Sequence, residues 1–454
     1  MAAPIIVPFQ GDSGGIGDLT WGQRQIWQAM EETNTSQSMS SAAPLRGRTA
    51  ADIAADLEFL MCRHESLRTR LRFDGAGRPS QVVSSSGEIT LHVVEADGTD
   101  PERVAGDLAG RWEESIFDYA HEWPIRVAVV RHRGVDTHVV LTLCHLAVDG
   151  MGIAVLYADL AARDPATGRA RPVTAMQPRQ LAAEESGPAA QRHSDRTLRY
   201  WERVLRSVGP RRFRPPGQPR DPRYWQLTLT SPAMYLATRA VAARTGRDPA
   251  PVLLAAFVVA LARVHGTNPV VTQTIVSNRF RPELAKLVGP VNQNGLLVVD
   301  VADTTFDEAV QRARAASLIG SKHAYYDPDR LTELIARVNR ERGEQIDIAC
   351  VFNNQFPEPA GPAPTAEQLD AALPATVLTW DRPLTLFNER LMVTVNDVPD
   401  TMEVVAEVDT CHVAPADAEA LLHGMAATVV EAAFNPAAPT RVPAVTAGTV
   451  PHGG

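Results

Sequence analysis

Between residues 163 and 192 the chain loses apolar periodicity and carries Pro165, Pro172, Pro178 and Pro188. Strand-like and helix-like patterns alternate on either side of this stretch. With 454 residues, the chain is too long for one ordinary core and points to about two or three domains. The expected organisation is a first lobe over 1–175, a crossover linker over 176–192, a second lobe over 193–434 and a flexible tail over 435–454. No strict repeat period is present, which excludes a solenoid.

In the first half, helical spacing of apolar residues predicts helices over 20–30, 49–63, 101–116 and 151–162. Strands are predicted over 67–73, 79–83, 89–94, 125–130 and 138–143, the first two flanking the turn Asp74-Gly75-Ala76-Gly77. The segment 138–143 is apolar on both faces and reads as a central, covered strand. The second half repeats the mixture. Its helices are expected over 194–206, 231–245, 249–265, 306–319 and 415–433, and its strands over 270–276, 296–301, 346–352, 390–395 and 402–408.

Composition narrows the function classes. A net charge of −9 argues against a nucleic-acid partner, which needs a basic face. The longest apolar run, 252–262, is too short to span a bilayer, and the first ten residues lack the pattern of a secretion signal. Cys62, Cys144, Cys350 and Cys411 form no C-x-x-C pair, so neither a disulfide framework nor a zinc site is expected. The expected location is the cytoplasm, with no membrane partner.

The most informative stretch runs from Leu141 to Gly150, LTLCHLAVDG. A covered strand ends in His145, Asp149 follows four residues later beside Gly150, and a helix begins. Packing beneath a strand end holds a side chain rigidly at a cleft. An aspartate at a helix start accepts backbone N–H bonds and meets the positive end of the dipole. Glycine permits a tight turn or close approach of a ligand. Histidine exchanges protons near neutrality. Taken alone, H-x-x-x-D-G is a weak signal, which a core histidine and an ordinary capping aspartate also satisfy.

Other segments lie around it in a definite order. They are Leu19-Thr20-Trp21-Gly22-Gln23 with Trp27, then Arg63-His64-Glu65-Ser66-Leu67-Arg68-Thr69. Asn278-Arg279-Phe280-Arg281-Pro282-Glu283-Leu284 follows, with Val288-Gly289 and Asn292. Together with the stretch at His145, they resemble the condensation domains of nonribosomal peptide synthetases, whose motif there is H-H-x-x-x-D-G. The resemblance covers most of the chain. It implies an α+β fold of two chloramphenicol acetyltransferase-like lobes, forming a V-shaped pseudo-dimer with the site and an open tunnel at the junction.

The same resemblance implies acyl or aminoacyl transfer from a phosphopantetheine thioester to the amine or hydroxyl of a small-molecule acceptor. The thioester would be carried by a separate acyl or peptidyl carrier protein acting in trans, with no cofactor or metal held permanently. His145 matches the working histidine, Asp149 a mainly structural aspartate paired with an arginine across the lobes, and Gly150 the motif glycine whose N–H faces a developing oxyanion. Arg279 is the best partner for Asp149. Its alternative is a surface charge.

The sequence departs from the family in two places. Cys144 stands where the family has its first histidine, and it reads as a small apolar core group. Neighbouring strand residues point to opposite faces, so Cys144 and His145 form no nucleophile–base dyad. In Val288-Gly-Pro-Val-Asn292-Gln-Asn294 the asparagine comes one position early, and either Asn292 or Asn294 could line the site.

Some features are discounted. Gly11-Asp12-Ser13-Gly14-Gly15 copies a serine-protease loop but precedes every candidate partner, in an expected flexible terminus. His145 and Asp149 lack a third metal ligand at a recognisable spacing. The basic loop over 211–223 reads as a solvated surface or a docking site for an acidic carrier protein. Tyr325, Tyr326 and Trp380 read as core or cleft wall. Two rivals stand beside the leading expectation: a non-catalytic condensation-like module that recruits partner enzymes, and a coenzyme A-dependent acyltransferase.

Overall fold

The computed structural model describes residues 3–164, 167, 172–214, 217–356, 363–396 and 398–444. The architecture is α+β, and the chain divides into two compact units. The first holds Met1–Asp195 together with Ser277–Gln293 and Tyr326–Asp329, and the second holds the remainder. Two segments from the second half of the sequence thus pack into the first unit.

A five-stranded mixed sheet organises the first unit, in the order Ile5–Gln10, Ser86–Glu95, Ile125–His132, Val135–Leu143, Met39–Pro44. Only the pair Ser86–Glu95 with Ile125–His132 is parallel. Helices cover both faces. Ala50–Arg63 and Gly150–Ala161 bring Ile53, Leu57, Met61 and Leu156 against Leu91, Val127, Val129 and Leu143. Pro101–Glu114 brings Ala105 and Leu108 against Ala128, Val130 and Val140. Each such buried Val, Leu, Ile or Met side chain contributes roughly 1.5–3 kcal/mol. The strand ahead of His145 is therefore interior, as its apolar pattern predicts, and its burial is greatest at the His145 end.

The first unit also contains a three-stranded sheet, Gly15–Asp18, Pro79–Val83, Thr69–Phe73. It corrects the expectation of a flexible terminus around Ser13. That hydroxyl donates to Glu65, while the buried Arg68 guanidinium donates to the carbonyls of Ser13 and Ser84. The loop that copies a protease motif is a strut held by the RHESLRT segment.

The second unit has seven strands, in the order Gln293–Val299, Val270–Val276, Cys350–Asn354, Leu391–Asn396, Met402–Asp409, Tyr224–Ser231, Val377–Leu384. Helices Pro232–Thr245, Pro249–His265, Phe306–Lys322 and Pro415–Ala432 pack on one face of this sheet. Pro249–His265 is apolar all round because it is the core. Every residue from Val252 to Ala262 is buried. Among the described residues no single helix is long and apolar enough to cross a membrane.

The stretch expected as an irregular linker contains helices Pro178–Glu185 and Pro188–Ser207, each started by a proline that helix N-termini tolerate. The tail expected to fray from 435 is packed as far as Ala444. Ala438, Thr440 and Val442 are buried, and Phe306 N–H bonds to the Ala438 carbonyl. Residues 445–454 lie outside the described residues. The basic loop over 211–223 is not simply a solvated surface. Arg212 is buried and donates to the Asp347 carbonyl at 3.0 Å, Arg223 pairs with Asp409, and Arg220 lies 3.8 Å over the Trp225 ring. Its residues 215–216 also fall outside the described set.

Candidate active site

The chain leaves strand Val135–Leu143 through a tight turn, in which Ala147 N–H bonds back to the Cys144 carbonyl at 3.0 Å. His145 sits in that turn, half-buried. Its Nδ1 lies 2.8 Å from the Val148 carbonyl. A carbonyl only accepts, so Nδ1 carries a proton, and in the neutral ring the lone pair is on Nε2. Among the described residues, Nε2 has no hydrogen-bond partner. The imidazole is thus fixed in tautomer and orientation, with its basic nitrogen free.

Helix Gly150–Ala161 begins immediately after this turn. Asp149 is its N-cap and accepts from Gly152 N–H at 2.8 Å. A Cβ on Gly150 would meet nothing within 4 Å, so the space at the first helical residue is open. The first N–H groups of a helix have no intrahelical partner and carry partial positive charge. A negative charge developing near His145 would meet that helix end.

Asp149 is almost fully buried, yet satisfied. Arg279 donates to both of its oxygens at 2.7 Å, and Val291 N–H reaches it at 3.3 Å. The same guanidinium donates to the carbonyls of Leu287 and Gly289 at 3.2 and 3.1 Å. Arg279 is therefore no surface charge; it ties the segment 277–293 to the turn carrying His145. The sequence places this arginine in the second half, but packing places it in the unit that holds Asp149. With its oxygens committed to these donors, Asp149 is an anchor and not a base.

Gly22, on helix Trp21–Thr33, supports the same segment from below. A Cβ there would run into the Pro290 carbonyl. The helix start is a capping box in which Thr20 and Gln23 satisfy each other, and Glu185 accepts from Trp21 N–H at 2.7 Å. Gln23 also approaches the Leu146 carbonyl at 3.4 Å. Sequence reasoning recognised this motif without assigning Gln23 or Glu185 any role. Glu185 had no local signal, because its partner is 164 residues away.

Cys144 is buried among Leu19, Ile26, Met30, Leu71, Phe117 and Leu146, and burial pushes its thiol up to about 12. Such a thiol is no nucleophile at neutral pH. A cavity of about 20 Å³ adjoins it, lined by Gln23, Ser66, Thr69 and Tyr119 among others. That is room for about one water. The Ser66 hydroxyl is buried nearby without a partner among the described residues.

The two candidate asparagines separate. Asn292 follows Val291 in the first unit, with a buried Oδ1 that has no partner among the described residues, whereas Asn294 belongs to the second unit on strand Gln293–Val299. Tyr326 is buried with its hydroxyl 3.3 Å from Gln25, and the indole of Trp380 donates to Glu419 at 2.8 Å. Among the described residues, no group of three or more His, Cys, Asp and Glu side chains could hold a metal ion.

Comparison with known proteins agrees with this geometry. Residues 18–378 match the family described as the condensation domain. The chain is 28% identical over 388 residues to AMB antimetabolite synthetase AmbB of Pseudomonas aeruginosa, covering 82% of this chain and 31% of AmbB. It is 28% identical over 303 residues to phosphinothricin tripeptide synthetase PhsC of Streptomyces viridochromogenes, covering 62% of this chain and 27% of PhsC. The chain thus spans only a minor part of these relatives' length. The condensation domain that mediates chain release from the enacyloxin polyketide synthase shares the fold. Its TM-score is 0.71 at 20% identity, over 97% of this chain and 86% of that one. The X-domain from teicoplanin biosynthesis gives 0.71 at 22% identity, over 94% and 97%. With the family match running from the capped start of helix Trp21–Thr33 through the Asp149–Arg279 pair and on to residue 378, the chain belongs to the condensation-domain family, whose chemistry is amide- and ester-forming acyl transfer.

Proposed function

We propose that this protein is a condensation enzyme acting in the cytoplasm on an acyl or aminoacyl group held as a phosphopantetheine thioester by a carrier protein in trans. The group is transferred to the amine or hydroxyl of a small-molecule acceptor, and the protein keeps no cofactor of its own. The observation that carries this reading is the imidazole of His145, held through Nδ1 by the Val148 carbonyl with Nε2 free beside a helix start.

The acceptor's nitrogen or oxygen attacks the thioester carbonyl while Nε2 of His145 takes its proton. The carbonyl electrons move onto oxygen, and the oxyanion faces the N–H groups at Gly150 and Met151. The tetrahedral intermediate collapses, the C–S bond breaks, and the leaving sulfur takes the proton back from the imidazolium. Asp149 and Arg279 hold the turn in place. Asn292, with its unbonded buried oxygen, is the better placed of the two asparagines to meet a substrate donor.

His145→Ala should lower transfer from a loaded carrier by about 10²–10⁴ with folding retained. A variant that matches the parent rate would end this mechanism. Cys144, in place of a histidine, favours a second reading, a module that recruits a partner enzyme. The similarly folded X-domain has been solved in complex with OxyB. A folded parent that transfers nothing from any carrier thioester would favour that reading.

A further inference from the structure

Many of this protein's arginines are spent on its own carboxylates and carbonyls, and others, such as Arg46, Arg72, Arg133 and Arg247, stand exposed and scattered. Helix Pro188–Ser207 gathers several exposed ones in a row. Arg196, Arg199 and Arg203 are all exposed, and among the described residues none has an ion-pair partner. At 3.6 residues per turn they fall within an arc of about 60°, a row two turns long. The opposite side of the helix holds it to the second unit. Trp201 and Leu205 are fully buried, and the Trp201 indole donates to the His323 carbonyl at 3.1 Å.

The next arginine of the row, Arg206, shows what compensation looks like. It is bound to Glu202 and Glu341, and Arg337 engages the same two glutamates. Those carboxylates are consumed, so the three preceding arginines stay uncompensated in a chain whose net charge is −9. Like charges at these spacings disfavour a helix. The packing on the far side does not need them.

We propose that Arg196, Arg199 and Arg203 form the docking strip for the acidic face of the donor carrier protein. The inference rests on the carrier-dependent reading above and deepens it by naming the surface. A phosphopantetheine arm is joined to its carrier through an anionic phosphodiester. Guanidinium forks suit phosphodiesters and carboxylates, binding both bidentately. A local positive strip on a negative protein also steers an acidic partner to one place.

The test uses the full chain and its charge-reversed variant Arg196→Glu/Arg199→Glu/Arg203→Glu, with Arg196→Gln/Arg199→Gln/Arg203→Gln as the milder companion should the first fail to fold. Binding of a fluorescently labelled holo-carrier protein is measured by anisotropy across a salt series. Transfer is measured from the acyl-carrier and from acyl-pantetheine, which lacks the protein. Carrier affinity should fall and KM for acyl-carrier rise by about tenfold or more, with kcat unchanged. Kinetics with acyl-pantetheine should not move, and only the parent's carrier binding should weaken with salt. Equal carrier affinity in parent and variant overturns the docking strip. So does loss of binding to phosphatidylglycerol vesicles with carrier affinity intact. A parent that binds carrier through the strip but transfers no acyl group from either donor refutes the catalytic reading and leaves the strip standing.

Discussion

Removing the Arg279 guanidinium probes the anchor directly. It makes two 2.7 Å bonds to Asp149 and two longer ones to the Leu287 and Gly289 carbonyls, and both charged side chains are about 5% exposed or less. Arg279→Ala leaves a buried carboxylate holding only Gly152 and Val291 N–H. Breaking a buried pair from one side costs roughly 3–5 kcal/mol. Asp149→Ala also strips the N-cap, worth about another 1 kcal/mol. The double variant has no stranded charge, so its cost should fall short of the sum of the singles by about 2–3 kcal/mol. Urea unfolding followed by tryptophan fluorescence measures all three. Under conditions where Arg279→Ala stays folded, acyl transfer should still fall, because the turn carrying His145 loses its tie to 277–293. An Arg279→Ala cost below about 1 kcal/mol, the range of exposed pairs, would refute the anchor.

Burial holds His64 below its usual value despite its 3.0 Å bond to Asp159. The unfolded chain therefore takes up a proton below about pH 6.5 that the folded chain refuses, and stability should fall as the pH drops through that range. Asp159 is pushed up by burial, but hydrogen bonds from His64 and Arg63 outweigh this and hold it at about 2, so further stability should be lost between its unfolded value near 4 and pH 2. His64→Gln should flatten the pH 5–6.5 part of the stability profile; an unchanged slope there assigns it to other groups. Gly22→Ala should cost about 1–3 kcal/mol through overpacking against Pro290, and a neutral result in thermal melts would show that the contact can relax. Cys144→Ala should lower stability by about 1 kcal/mol and leave the transfer rate within about twofold, since the thiol fills the core; a loss as large as that of His145→Ala would give the thiol a chemical role.

The sequence alone determined the α+β character, the covered strand ahead of His145, the capping aspartate and the apolar helix 249–265. Each is a local pattern of period two or 3.6, or a short motif. The unassigned elements include strand Tyr224–Ser231, interior in its sheet and alternating in burial but placed directly after the proline-rich stretch 215–222, and several with weak local patterns. Strands Ile5–Gln10, Met39–Pro44 and Val377–Leu384 lie at sheet edges, and Pro328–Arg342 is a polar helix. Arg279 was legible as the partner of Asp149 only through its motif. No spacing rule links residues 130 positions apart.

Tertiary structure decided the rest. It moved 277–293 into the first unit and separated Asn292 from Asn294 although a single residue stands between them. It turned the GDSGG loop into a strut on Glu65 and Arg68, and packed the tail as far as Ala444. It spent the arginines at 212 and 223 inside the fold while leaving those at 196, 199 and 203 without an ion pair among the described residues. The physical reason is common to all of these. Whether a charge, a loop or an asparagine is free depends on which distant donor, acceptor or wall folding brings beside it, and local sequence carries no record of that neighbour.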